Sequence, residues 1–149
     1  MPVEEPGSLL VATVAFSVLV AIVVLIHNEV LVQLNGVLGK MVNHHHPRLI
    51  VAVLGVLAAH TMEVWVFAVA YFAMHHTPGW GLLIGNFNGT LLDCVYFSFS
   101  TFTTVGYGDI EPIGNLRFLT GIEGLTGLVL IGWSASFLFV EMQRYWPRR

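Results

Sequence analysis

Three long apolar stretches divide the chain, and the polar positions between them set its plan. Residues 9–26 carry no charge and are rich in Val and Ala, which predicts a helix long enough to cross a bilayer. Pro6-Gly7-Ser8 precedes it, with Ser8 as the expected N-cap, and His27-Asn28-Glu29 is the expected end. Beyond that, Val30, Leu31, Leu34, Val37, Leu38 and Met41 recur at helical spacing. This predicts a separate amphipathic helix in the membrane interface, interrupted near Asn35-Gly36 and Gly39 and closed by Pro47. Residues 49–74 form a second span, long enough to tilt, and end at His75-His76-Thr77-Pro78-Gly79. Residues 80–89 read as a loop of Gly, Asn and apolar residues. The apolar stretch 90–102 is too short to span at about 1.5 Å per residue and predicts a re-entrant helix. Thr90 is its N-cap, paired with Asp93 in a capping box. Glu111-Pro112-Ile113-Gly114-Asn115 returns the chain to the surface before a third span at 116–142. Tyr145 and Trp146 are the expected interfacial anchors of a short basic end.

Composition supports a membrane protein. Charged residues make up 10% of the 149, hydrophobic residues 56%, and the mean hydropathy is +0.77; soluble domains average about 25% charged. A net charge of -3 gives no reason to expect a nucleic-acid partner. Cys94 is the lone cysteine, so no internal disulfide forms, and it reads as a small buried residue. The start, Met1 to Pro6, is acidic where a signal peptide would be basic, so the first apolar segment is expected to stay as a transmembrane helix. With three spans, Lys40, Arg48, Arg144, Arg148 and Arg149 fall on one side and Arg117 on the other. The positive-inside rule then places the N-terminus outside, and the 27–48 segment and C-terminus in the cytoplasm. The expectation is a multi-pass protein of the cell membrane with the loop before the third span opening outward. No internal repeat is visible.

The densest chemistry lies at Thr103-Thr104-Val105-Gly106-Tyr107-Gly108-Asp109. A potassium ion crosses a membrane only where something replaces its water shell, and backbone carbonyls can do so when several point into a ring. That needs backbone alternating between negative and positive φ, which Gly106 and Gly108 supply at little steric cost. Val105 and Tyr107 alternate with them, and Thr104 adds a hydroxyl at the inner end. This stretch resembles the filter signature of the pore-loop potassium channels.

The resemblance covers 49–149 and divides the chain into an N-terminal helix with its interfacial segment (1–48) and a pore domain. Within the latter it implies an outer helix at 49–74, a pore helix at 90–102, a filter at 103–109 and an inner helix at 116–142. It implies an all-α membrane protein whose pore is made by a homotetramer, one loop from each chain. Potassium would pass through the oxygens of Thr104, Val105, Gly106 and Tyr107, supported by Thr103, Gly108 and Asp109. No cofactor or metal other than K+ is implied. Tyr96-Phe97-Ser98-Phe99-Ser100-Thr101-Phe102 looks like the pore helix of voltage-gated and two-pore-domain channels. There, Tyr96 and Phe97 match the aromatic cuff around the filter tyrosine, Tyr107. Ser100 stands where some two-helix bacterial channels carry a Glu that pairs with the Asp after the filter, so Asp109 needs another partner. Aligning Arg117 with the family's basic residue after the filter puts Gly127 at the gating hinge, with Gly124 and Gly132 close by. Leu128, Ile131, Ala135, Phe139 and Gln143 then form one helical stripe facing the cavity. Phe139 or Gln143 is the expected cytoplasmic constriction. No helix carries Arg at every third position, so voltage sensing is not expected, and no stretch reads as a soluble ligand-binding domain.

Some residues fall outside that pattern. Glu63 and Glu123 sit within predicted spans, where an unpaired carboxylate is costly. His60 and Glu63 share a helix face. We expect His60, Glu63 and Glu123 to cluster behind the filter, as structural hydrogen bonding first and as a proton-sensitive gate second, which would make activity pH-dependent. His44, His45 and His46 read as a solvated interfacial loop rather than a metal site, since three adjacent side chains cannot all point one way. Trp133-Ser134 reads as packing. No H-E-x-x-H or G-x-S-x-G is present, so the chain offers no hydrolase constellation. The competing class is a non-conducting or regulatory membrane subunit that retains the pore fold.

Overall fold

Helix α1 runs without interruption from Pro6 to Gly39. It therefore merges what the polar pattern separated into a span and an interfacial helix, and starts ahead of the expected cap at Ser8. The reason is rotational. Ala12, Phe16, Val23, His27, Leu31, Leu34 and Leu38 are all buried on one stripe, while Asn28 and Glu29 face outward. The polar trio thus straddles the helix instead of ending it. Glu29 accepts a bond from Gln33 Nε2 one turn later (2.8 Å), which helps the helix continue.

The remaining elements follow in the computed structural model, which describes residues 6–41 and 45–145. They are α2 (His45–His75), β1 (Leu82–Gly85), α3 (Leu91–Phe102), β2 (Ile110–Ile113) and α4 (Leu116–Tyr145). His44 and Trp146 lie outside the described residues, as do the side chains of His45, His46 and Tyr145, so the expectations placed on them are not addressed. Pro47 sits in the first turn of α2, where its missing N–H costs nothing, rather than closing the preceding segment.

Three helical stretches are long and apolar enough to cross a membrane: Leu10–Gly39, Pro47–His75 and Leu116–Arg144. The protein is an all-α multi-pass membrane protein. Its long helices pack on one another through two clusters. The larger joins Phe16 and Val23 of α1 to Phe67 and Tyr71 of α2, Phe102 of α3, and Leu116, Leu119 and Leu130 of α4. The smaller joins Leu31, Leu34 and Leu38 of α1 to Ala52 and Val56 of α2. Gly55 lets α1 approach there, since a Cβ on it would lie 2.8 Å from the Leu34 methyl carbons. The opposite face of α1 exposes Leu10, Val11, Val14, Val18, Ile22 and Leu25, an apolar surface suited to lipid.

The loop expected at 80–89 is partly a strand. β1 pairs antiparallel with β2, from Leu82 opposite Ile113 to Gly85 opposite Ile110. Gly81 (φ +114) closes this ribbon against β2, where a Cβ would overlap the Ile113 carbonyl oxygen. Asn86 N–H donates to the Asp109 carbonyl (2.8 Å) and extends the pairing to the end of the filter stretch.

Candidate pore and filter

The short helix α3 aims the filter, and its start is built from three residues. Thr90 is extended (φ -89, ψ 156) and its Oγ1 accepts from Asp93 N–H (3.1 Å). Asp93 Oδ2 accepts in return from Thr90 N–H (3.3 Å) and from Asn88 N–H (2.9 Å). Partial burial pushes the Asp93 carboxyl up, but these donors outweigh it and hold the group below its ordinary value.

At the other end the helix unwinds into the filter. Thr103 N–H still reaches the Phe99 carbonyl (3.2 Å), and Thr104 N–H reaches that of Thr101 (2.9 Å). Beyond Thr103, every second residue is left-handed: Thr104 (φ +60), Gly106 (φ +57) and Gly108 (φ +78). The two glycines adopt this at little cost, while Thr104 pays about 1–2 kcal/mol. A non-glycine residue held this way at the base of a filter is the kind of strain that marks functional backbone.

Ser100 holds the alternation in place. Its carbonyl accepts from Gly106 N–H (3.1 Å) and its hydroxyl from Tyr107 N–H (3.2 Å). Among the described residues no donor reaches the carbonyls of Thr104, Val105, Gly106 or Tyr107. The N–H groups of Thr104, Gly106 and Tyr107 are thus turned to the pore helix, and the acceptors of the stretch are left for something else.

Asp109 finds its partner in Tyr96, whose hydroxyl donates to Oδ2 (3.0 Å). The Tyr96 ring also stacks on Tyr107, with centroids 6.0 Å apart and planes 7° off parallel. Within the chain Phe97 is buried and meets Tyr71 of α2 edge-on (5.0 Å), turned about a quarter-turn around α3 from its neighbour Tyr96.

The single polar cluster expected from His60, Glu63 and Glu123 is two clusters. Glu123 of α4 accepts from the Tyr71 hydroxyl (2.6 Å) and bonds to Ser98 of α3, whose hydroxyl also faces the Val64 carbonyl (3.0 Å). This pins the pore helix to both long helices of its domain. His60 and Glu63 instead meet His27 of α1, through Glu63 Oε1 to His27 Nδ1 (2.7 Å) and Oε2 to His60 Nδ1 (2.8 Å). Helix rotation separates them, since Glu63 faces α1 and Glu123 faces α3. None of His27, Tyr71 and Ser98 was expected as a partner of these carboxylates; His27 had been read as the end of the first span and Ser98 as part of the pore helix. Their only signal was that a buried carboxylate needs donors and an apolar run offers few.

The segment 49–144, which runs from the first turns of α2 to the last turn of α4, matches the family model described as ion channel. The chain belongs to the ion channel family. Two relatives agree with this. It is 35% identical over 81 residues to the inward rectifier potassium channel Kirbac3.1 of Paramagnetospirillum magnetotacticum, covering 53% of this chain and 25% of that protein. It is 36% identical over 70 residues to Protein LctB of Geobacillus stearothermophilus, covering 43% of this chain and 52% of that one. The chain therefore spans about a quarter and about half of the curated relatives it matches. With its filter stretch, it falls within the pore-loop potassium channel superfamily.

In this chain α4 is continuous through Gly124, Gly127 and Gly132. Gly127 is buried against the last residue of the pore helix, where a Cβ would overlap the Phe102 carbonyl oxygen. Its small size thus serves a close approach between α4 and α3. Leu128, Ile131, Ala135, Phe139 and Gln143 are all exposed along one face of α4. The far end of α4 is tied down by Glu141, which takes Arg48 Nη2 (2.6 Å) and Nε (3.1 Å) on Oε2 and Arg144 Nη1 (3.0 Å) on Oε1. Arg48 Nη1 also donates to the Leu38 carbonyl, so all three long helices meet at this pair.

Proposed function

We propose that four copies of this chain surround one pore and conduct K+ passively and selectively, each ion exchanging its water shell for the carbonyls of Thr104, Val105, Gly106 and Tyr107. The observation that carries this reading is the sidedness of the filter backbone. Ser100 takes up two of its N–H groups, while no donor among the described residues reaches the four carbonyls. Assembly as a homotetramer is supported by exposure. Val105 and Tyr107 are 56% and 68% exposed in the single chain, and the α4 stripe from Leu128 to Gln143 is bare. Such surfaces suit burial by neighbouring copies and an inner cavity. The Lys and Arg distribution supports an N-terminus outside, a C-terminus in the cytoplasm and a filter reached from outside. No voltage sensor or cofactor enters this mechanism.

The test is K+ flux from liposomes holding the purified protein, with Na+ as the control ion. Selective K+ flux is expected. Gly106→Ala is expected to abolish it, because a Cβ opposes φ +57 at that position. Full K+ over Na+ selectivity in that variant overturns the filter assignment. Absence of flux in the unaltered protein favours a non-conducting subunit.

The inner end of the stripe gives a separate prediction. Phe139 is 54% exposed on α4, one turn before Gln143. If the closed pore excludes water at a phenylalanine ring, Phe139→Ala raises open probability several-fold. Single-channel recording checks this, and an unchanged open probability moves the constriction elsewhere.

A further inference from the structure

We propose that His27, His60 and Glu63 form a binding site for one divalent transition-metal ion of the zinc class, held between α1 and α2. The site joins a residue from outside the family-matched segment to two within it. Its candidate ligand atoms all lie within 4.8 Å of one another. Two imidazoles and one carboxylate are the donor set of a borderline ion such as Zn2+, with a fourth position open. They do not suit K+, which takes oxygen donors.

Metal-to-ligand distances of about 2.0–2.2 Å place tetrahedral ligands roughly 3.3 Å apart. The contacts of Glu63 to His27 (2.7 Å) and His60 (2.8 Å) therefore need to open by about half an ångström. The two rings already stack face to face, 5.4 Å apart and 29° from parallel, with both Nδ1 atoms on the same carboxylate.

The surroundings fit a metal ligand set. His27 Nε2 lies 3.4 Å from the buried Ser134 hydroxyl of α4. A hydroxyl can donate or accept. Without a metal, His27 Nδ1–H donates to Glu63 and Ser134 donates to Nε2. With a metal on Nδ1, the proton moves to Nε2 and Ser134 accepts it, so the His27–Ser134 hydrogen bond is kept in either state. A hydrogen-bond partner on the second ring nitrogen is the feature that orients metal-bound histidines. Trp133 packs on His27 (5.2 Å) and Phe102 on His60 (5.7 Å), which makes the walls apolar. His27 and Glu63 are fully buried, whereas the His60 side chain keeps 16% exposure.

The consequence is a clamp. In a bilayer, one apolar helix gains little by leaving lipid for another, so close packing and polar contacts together hold helices to one another. This ion would fasten α1 to the pore domain, one packing contact from the end of the pore helix.

The test uses the full chain with His44, His45 and His46 changed together to Ser, so that the histidine run adds no background. Equilibrium dialysis against Zn2+ followed by metal analysis is expected to give one ion per chain. His27→Gln and Glu63→Gln are each expected to weaken binding by roughly tenfold or more. Should either variant fail to fold, His60→Cys loaded with Co2+ decides, through a thiolate-to-metal charge-transfer band. Sub-stoichiometric Zn2+ in the unaltered site, undiminished binding in both variants, or absence of that band overturns the proposal and leaves a hydrogen-bonded triad.

Discussion

Gly127→Ala is expected to disable the filter and lower the melting temperature of the assembled protein. A Cβ at 127 overlaps the Phe102 carbonyl oxygen and lies 2.9 Å from its carbon and 3.1 Å from the Phe102 Cα. All three are backbone atoms, so no side chain can swing aside. Either α4 moves out or the end of the pore helix moves, and the left-handed Thr104 lies two residues further on. Overpacking of this sort costs about 1–3 kcal/mol. Gly124→Ala is the control, because its Cβ would rest 3.6 Å from the Thr101 carbonyl, an ordinary contact. Thermal melts and K+ over Na+ flux ratios of the two variants check this. A flexible hinge at Gly127 makes a different forecast: slowed gating with selectivity and melting intact. That outcome refutes the close-approach explanation.

Glu141→Gln carries the other large effect. The carboxylate and Arg48 are both nearly excluded from solvent, at 4% and 3% exposure. Removing the Glu141 charge breaks this buried ion pair, and breaking a buried pair costs about 3–5 kcal/mol. The variant is expected to melt well below the parent and to lose control of the inner end of α4. Replacing both residues, Arg48→Met with Glu141→Leu, is expected to recover most of the loss, since neither charge of the buried pair remains and Arg144 is exposed enough to be solvated. A double variant no more stable than Glu141→Gln contradicts this account. Arg48 had been read only as a mark of orientation, because its partner stands 93 residues away along the chain.

That distance shows where the sequence stops being informative. The short capped helix and the left-handed glycines after it were legible because their determinants are local: a cap three residues from its partner, and Gly106 and Gly108 within seven consecutive residues. The spans were legible because composition alone separates lipid-facing runs from loops. The end of α1 was misread since a helix can carry His27 inward and Glu29 outward without breaking its hydrogen bonds. The ribbon escaped notice because Leu82-Leu83-Ile84-Gly85 and Ile110-Glu111-Pro112-Ile113 are too short to show alternation. The partners of Glu63 and Glu123 depend on how each helix is rotated about its axis. Depth in the bilayer can be counted from the sequence, but rotation is decided by packing against helices whose positions are not local information.

The β1–β2 ribbon also gives the chain a module. With Gly85 opposite Ile110 and Asn86 bonded to Asp109, residues 86–109 form a lariat whose ends are already joined. Much of the entropy of ordering the pore loop is therefore spent inside one subunit. Closure entropy grows only with the logarithm of length. Extra residues inserted within 87–89 should therefore be tolerated, whereas deleting them would pull Asn86 off Asp109. The segment 80–115 is thus a cassette that could be grafted as one piece between two host helices whose ends are spaced like His75 and Leu116.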